Sequence, residues 1–138
     1  MSIYRENKMD YGPKPYVANI AKEAMKNTNF RTTVWTGCYA QMTLMCISEN
    51  SDIGLEIHED TDQLIRIESG TAQVKMGCNK NNLDCCWNVC MGDVVFVPAG
   101  VWHNVINTGN QVLKLSAVYT PPHHPAGTIH RTKKDTEY

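Results

Sequence analysis

An antiparallel β-sandwich or barrel carrying one short helix is the fold this chain predicts, on three observations. About nine short stretches rich in Val, Ile, Thr, Trp and Tyr recur along it. Turn signals separate them at intervals of roughly 8 to 12 residues. Only one stretch, near the N-terminus, carries apolar residues at helical spacing. The bulk numbers agree: 138 residues is the size of one domain, and 42% apolar against 20% charged residues allows a packed core and excludes wholesale disorder.

In chain order, residues 1–14 are polar and broken by Gly12-Pro13, with Pro15 just beyond, which predicts an arm. From Tyr16 to Lys26, the residues Val17, Ile20, Ala21, Ala24 and Met25 fall on one helical stripe, and Asn27-Thr28-Asn29 ends it. Residues 1–30 therefore form an arm and a short helix. The predicted barrel, 31–120, starts with strands at Arg31–Thr36 and Tyr39–Ile47. Gly54–His58 and Leu64–Glu68 bracket the acidic turn Glu59-Asp60-Thr61-Asp62. Ser69-Gly70 turns into Thr71–Met76, and Gly77–Asp84 is a polar loop. Trp87–Cys90 and Asp93–Val97 follow, and Pro98-Ala99-Gly100 makes a turn. Asn104–Asn107 and Val112–Tyr119 read as a hairpin around Thr108-Gly109-Asn110. Pro121-Pro122-His123-His124-Pro125 cannot continue a sheet, so residues 121–138 are expected to form an extended tail.

Charge and composition narrow the function. With 13 basic and 14 acidic side chains the net charge is −1, which argues against nucleic-acid or anionic-membrane binding. No apolar run approaches the roughly 20 residues of a membrane span. The start, Met1-Ser2-Ile3-Tyr4-Arg5-Glu6, lacks the basic-then-apolar order of a secretion signal, so the expected address is cytoplasmic. Six cysteines, Cys38, Cys46, Cys78, Cys85, Cys86 and Cys90, then read as reduced thiols. A structural zinc site is the sharper alternative, but the chain has no Cys-x2-Cys pair, and buried or loop thiols are the better reading.

Chemistry concentrates at four positions. Side chains alternate along Gly54–His58, so Glu56 and His58 share one face and Leu55 and Ile57 the other. Gln63 begins the next strand and can face the same pocket. His103 lies just after Pro98-Ala99-Gly100, flanked by Trp102 and Val105. Alone, each reads as an ordinary satisfied or surface polar residue. Together they make a mixed nitrogen and oxygen set suited to a divalent transition metal. Trp35, Tyr39, Gln41 and Met45 alternate along the early strands and are candidates to line a cavity, with ordinary core as the competing reading.

The segment from Gly92 to Asn107 resembles the second cupin motif at each of its defining positions: Gly92, Pro98, Gly100, His103 and Asn107. The first cupin motif is matched in a variant form, Glu56-x-His58-x4-Gln63-x6-Gly70. Glu56 stands where that motif usually has its first histidine, and Gln63 where it has glutamate. The resemblance runs from about Thr36 to Tyr119, and the N-terminal helix and the Pro-Pro-His-His tail are similar to those of a small single-domain bacterial cupin group labelled mannose-6-phosphate isomerase-like. It implies the cupin double-stranded β-helix, a jelly-roll barrel.

It also implies a divalent metal, Mn, Fe, Ni or Zn, held by Glu56, His58, Gln63 and His103, with Glu56 and His103 nearest the chemistry. His123, His124 and Tyr39 are expected as substrate contacts or supports. In the competing reading Glu56 pairs with a neighbouring Lys or Arg, and the pocket is vestigial or binds its ligand without metal. Three functions follow: isomerisation of a small polar or sugar-like metabolite, iron-dependent dioxygenation, and non-catalytic binding of a small molecule. Against a sugar phosphate, the sequence offers only Arg66 and Lys75 on central strands, with Arg66 on the face opposite Gln63. Leu55 and Ile57 would expose an apolar face, which in cupins of this size is commonly covered by a second barrel, so a homodimer is expected.

Overall fold

The computed structural model describes residues 10–136. In chain order they form α1 (Ile20–Lys26), β1 (Arg31–Thr36), β2 (Gln41–Ile47), β3 (Asp62–Ser69), β4 (Thr71–Gly77), β5 (Cys85–Cys90), β6 (Val94–Val97), β7 (Trp102–Asn107), β8 (Leu113–Thr120), β9 (Ile129–His130) and a 3₁₀ turn at Lys133–Thr136. The strands make two antiparallel sheets, ordered β6-β3-β8-β2-β1-β9 and β5-β4-β7. One apolar cluster joins them, with Ile65, Ile67, Leu115 and Ala117 from the large sheet against Val74 and Val105 from the small one. This is the jelly-roll barrel that the cupin resemblance implies, and it falls within the antiparallel sandwich or barrel that the spacing of strands and turns predicts. Among the described residues no helix is long and apolar enough to cross a membrane.

Register decides what the barrel interior contains, because residues directly opposite in a ladder share a face. Across the large sheet one inward row reads Val97-Gln63-Tyr119-Gln41. The next reads Val95-Ile65-Ala117-Thr43-Thr33. The third reads Ile67-Leu115-Met45-Arg31-His130. The interior is thus apolar along β3, β6 and β8 at one end, and polar toward β1, β2 and β9. On the small sheet, Met76 and His103 stand opposite each other and face in.

The helix is shorter than its apolar stripe predicts. Asn19 takes the cap, its side chain accepting the Lys22 N–H at 3.0 Å, so the helix begins at Ile20 rather than Tyr16. Tyr16 instead stacks on Tyr11, with ring centroids 4.7 Å apart. Ala24 packs on Val34 and Leu44, on the outer face of the large sheet. Buried Lys114 donates to the carbonyls of Met25 (3.3 Å) and Asn27, satisfying the helix's last turn.

Three further expectations change. Gly54–His58 is not a continuous strand: it touches β7 at two isolated bridges, Asp52↔Ile106 and Glu56↔His103. Four steps along this segment match three along β7, and Gly54, at φ +94°, absorbs the extra residue as a bulge. β7 and β8 do not form a hairpin, because β7 pairs with β4 and β8 with β2 and β3, so the Thr108-Gly109-Asn110 turn crosses between sheets. Asn107 anchors that crossing, donating to the carbonyls of Ile47 (3.1 Å), Ser48 (3.2 Å) and Gln111 (2.9 Å). The tail is not wholly extended either, since β9 returns and pairs with β1. Residues 1–9 of the predicted arm and the final two residues of the tail lie outside the described part.

Candidate metal centre

Glu56 and His103 exchange both backbone hydrogen bonds, Glu56 N–H to His103 C=O and the reverse, each at 2.9 Å. Such a pair carries its side chains on the same face, so His103 turned inward brings Glu56 with it. His58, two residues on, returns to that face. Its carbonyl accepts the Gly100 N–H at 2.8 Å, which ties the Pro98-Ala99-Gly100 corner to the segment bearing His58. Gly100, at φ +80°, supplies the conformation the corner needs.

The result is a compact group. Glu56 Oε1 lies 3.7 Å from His58 Nε2 and 4.0 Å from His103 Nε2, and one donor atom from each residue falls within 4.8 Å of the others. These contacts are not ion pairs. Burial holds His58 at about 4 and pushes His103 below the usual imidazole range, so both rings are neutral at pH 7. His103 Nδ1 sits 3.0 Å from the Val101 carbonyl; since a carbonyl only accepts, Nδ1 carries the proton and Nε2 presents its lone pair. Burial raises Glu56, with the nearby Arg31 charge opposing.

The donor set fits a divalent transition ion. His58 Nε2, His103 Nε2 and Gln63 Oε1 are all buried without a hydrogen-bond partner, a costly arrangement unless something else binds there. Gln63 reaches the interior from the large sheet, in the row with Tyr119 and Gln41. Neutral imidazoles, one carboxylate and an amide oxygen suit Mn, Fe, Ni or Zn. Glu56, His58 and His103 form the only such group of His, Cys, Asp and Glu among the described residues, and no cysteine joins one. All six thiols are free, and Cys46 alone is not exposed.

The remaining site expectations divide. His123 and His124 do arrive at this end of the barrel: the His123 ring is 4.2 Å from that of His58 and 4.7 Å from that of His124. Buried Gln41 fixes them, its Oε1 accepting the N–H groups of His123 (3.1 Å) and His124 (2.9 Å) while its Nε2 donates to the His124 carbonyl (2.8 Å) and Thr36 Oγ1 (3.0 Å). Tyr39 is not part of the site. It is 83% exposed in the turn between β1 and β2, which is closed by Gly37 N–H to Ala40 C=O at 2.9 Å, so strand alternation never reaches it. Trp102 packs at the rim, with Lys80 Nζ 5.6 Å from its ring centroid. Arg66 does face away from the interior, where it meets Glu68. Sequence reasoning missed Arg31, Tyr119 and His130, which the inward rows place near the ligands.

Comparison with known proteins agrees with this fold. The model of the cupin domain matches residues 43–119. The uncharacterized protein YrkC of Bacillus subtilis is 54% identical over 126 residues, covering 91% of this chain and 68% of its own length. The crystal structure of BH2720 from Bacillus halodurans superposes with a TM-score of 0.92 at 48% identity, covering 93% of this chain and 97% of that one. A Klebsiella pneumoniae protein with a double-stranded β-helix domain shares the fold at 16% identity, with a TM-score of 0.66 over 85% of this chain and 98% of its own. Half the chain and more, including each ligand candidate, thus lies inside the matched domain, and the chain belongs to the cupin family.

Proposed function

We propose that this cupin is a metal-dependent enzyme acting on a small polar metabolite, with Glu56, His58, Gln63 and His103 holding a divalent transition ion. The observation that carries the reading is the convergence of two buried, unpartnered donor atoms, His58 Nε2 and His103 Nε2, on the Glu56 carboxylate, with the unpartnered Gln63 Oε1 in the inward row of Tyr119, whose ring lies 5.8 Å from that of His58. A single carboxylate leaves a bound ion with net positive charge, and the chemistry it supplies is polarisation of a substrate carbonyl or hydroxyl. The protein's own residues do the rest. Val101 keeps His103 in the tautomer whose Nε2 faces the site, and the Glu56–His103 bridge fixes the carboxylate. His123 stands beside His58 and, held below the usual imidazole range by burial, is neutral at pH 7 and able to take a proton. Polarisation plus a neighbouring neutral base supports proton transfer between adjacent carbons, the step of a sugar-like isomerisation.

Two looser features belong to the same proposal. Leu55 is 39% exposed and Phe96 68% exposed, which supports a homodimer. Six free thiols support a cytoplasmic setting.

Elemental analysis of the purified protein tests the ligand set, with Glu56→Gln and His103→Ala alongside. The expected result is near-stoichiometric Mn, Fe, Ni or Zn in the parent and a loss of at least about tenfold in affinity in each variant. Full metal content in both variants would overturn the assignment. Oxygen uptake by an iron-loaded sample would replace isomerisation with dioxygenation.

A further inference from the structure

Arg31 is the feature that the proposed metal centre does not use. It is only 2% exposed, and it lies on the inward face of β1 between Met45 and His130. Among the described residues, no Asp or Glu forms an ion pair with it. Its Nη1 donates to His130 Nδ1 at 3.0 Å, a neutral acceptor. Its Nη2 reaches the Met45 sulfur, at 3.8 Å, the Tyr119 hydroxyl also stands beside the guanidinium, and Nε has no partner. The Nε–Nη2 edge, the one that receives a carboxylate side-on, therefore has no acceptor oxygen from an Asp or Glu and keeps Nε free. The other buried cation, Lys114, is occupied by main-chain carbonyls on the outer face of the large sheet, so nothing else accounts for an anion inside. A buried, unpaired guanidinium is too costly to be a mere filler.

Its surroundings are those of a binding site. The hydroxyls of Thr33 and Thr43 are buried and opposite each other in the next inward row; Thr33 Oγ1 has no partner, Thr43 stands near the Tyr119 hydroxyl, and His124 Nε2 is also without a partner. His130, which Arg31 bonds, has its ring 6.2 Å from that of His124, and the His124 ring is 4.7 Å from that of His123, so the guanidinium adjoins the histidine group at this end of the barrel. We infer that Arg31 is an anion-binding residue, and that the substrate or ligand of this barrel is a small carboxylate whose charged end rests on the Nε–Nη2 edge, with Thr33 and Thr43 as hydroxyl partners. A single interior guanidinium matches one negative charge, which favours a carboxylate over a phosphate dianion. This deepens the metal-enzyme reading and rests on it for the reacting end of the molecule, but the carboxylate anchor itself needs only Arg31.

Calorimetric titration with glycolate, its neutral analogue glycolamide and inorganic phosphate tests the anchor on the full chain, metal-loaded and metal-stripped, with Arg31→Met and Arg31→Lys. The expected result is at least about tenfold tighter binding of glycolate than of glycolamide or phosphate. Arg31→Met should lose that preference while keeping the parent's metal content, and Arg31→Lys should retain part of it. The inference is overturned if the parent does not distinguish glycolate from glycolamide, if phosphate binds more tightly than glycolate, or if a folded Arg31→Met keeps the preference. Should Arg31→Met fail to fold, the three-probe comparison on the parent decides alone. If the parent binds no metal, the metal reading fails separately, and Arg31-dependent glycolate binding by the metal-free protein still supports the anchor.

Discussion

Gln41→Leu is the substitution whose effect follows most directly from the geometry. Leucine nearly conserves volume, so the usual cavity cost of a core truncation is absent. What disappears is a set of four hydrogen bonds: from the N–H groups of His123 and His124 into Oε1, and from Nε2 to the His124 carbonyl and Thr36 Oγ1. At a net contribution of about 1 kcal/mol each, the loss should be about 2–4 kcal/mol, the lower value applying if water reaches the freed groups. Much of this should appear as local opening, since β9 and the Gly127 N–H bond to Asp10 (2.8 Å) still hold the tail further on. Urea unfolding measures the total, and hydrogen exchange at the amides of residues 123 and 124 measures the local part. Both should change together, and the His123 ring should leave His58. A stability change below about 0.5 kcal/mol with unaltered exchange would show that β9 and Asp10, and not Gln41, hold the histidine pair in place.

Two further outcomes come from the same site. His58 is held at about 4, below the 6.5 of an exposed imidazole, so between those values the unfolded chain binds the extra proton. Metal-free stability should then be level above pH 6.5 and fall as the pH drops toward 4, by up to roughly 3 kcal/mol from this residue. His103, His123, His124 and His130 are displaced in the same direction, whereas Glu56 is raised and works oppositely, its contribution lost as the pH rises through its folded value. Urea midpoints of chelator-treated protein from pH 4 to 8 check the sign, and rising stability toward pH 4 would refute it. Gly100→Ala isolates backbone strain, because an added Cβ meets nothing within 4 Å at φ +80°. Thermal unfolding should show a cost of about 1 kcal/mol, and an unchanged midpoint would refute the strain.

What the sequence made legible depends on how local each signal is. Alternation put Glu56 and His58 on one face correctly even though no continuous strand exists there, because the bulge at Gly54 lies before both residues and leaves the step between them intact. His103 was readable because the corner that presents it is built from its immediate neighbours, Pro98 and Gly100. Tyr39 failed because the strand begins at Gln41 and the residue sits in the preceding turn. The β7–β8 hairpin failed because a short polar link looks alike whether it joins strands within a sheet or crosses between sheets. Arg31 was out of reach for a deeper reason. Its inward orientation is set by β1–β2 pairing and by β9 returning from 99 residues away, and neither relation leaves a mark within β1.

The placement of unsatisfied atoms also says how the barrel divides its two tasks. The β3–β6–β8 side of the interior, with Ile65, Ile67, Val95 and Leu115, supplies a close-packed apolar core. The rest of the interior, including the Gln63 end of β3, collects Arg31 Nε, Thr33 Oγ1, Thr43 Oγ1, Gln63 Oε1, both ring nitrogens of His58, His103 Nε2 and His124 Nε2, all buried without a close hydrogen-bond partner. Each such atom costs about 1–3 kcal/mol relative to a paired one, a burden that a domain stable by roughly 5–15 kcal/mol does not carry for packing alone. A divalent ion on the Glu56 side and an anion on Arg31 would engage most of them at once. Binding should therefore stabilise the fold as well as equip it for chemistry, and the two ligands should assist each other, since each relieves a charge or lone pair that the other's residues feel. Equal thermal shifts for glycolate with and without bound metal would show instead that the two halves of the interior act independently.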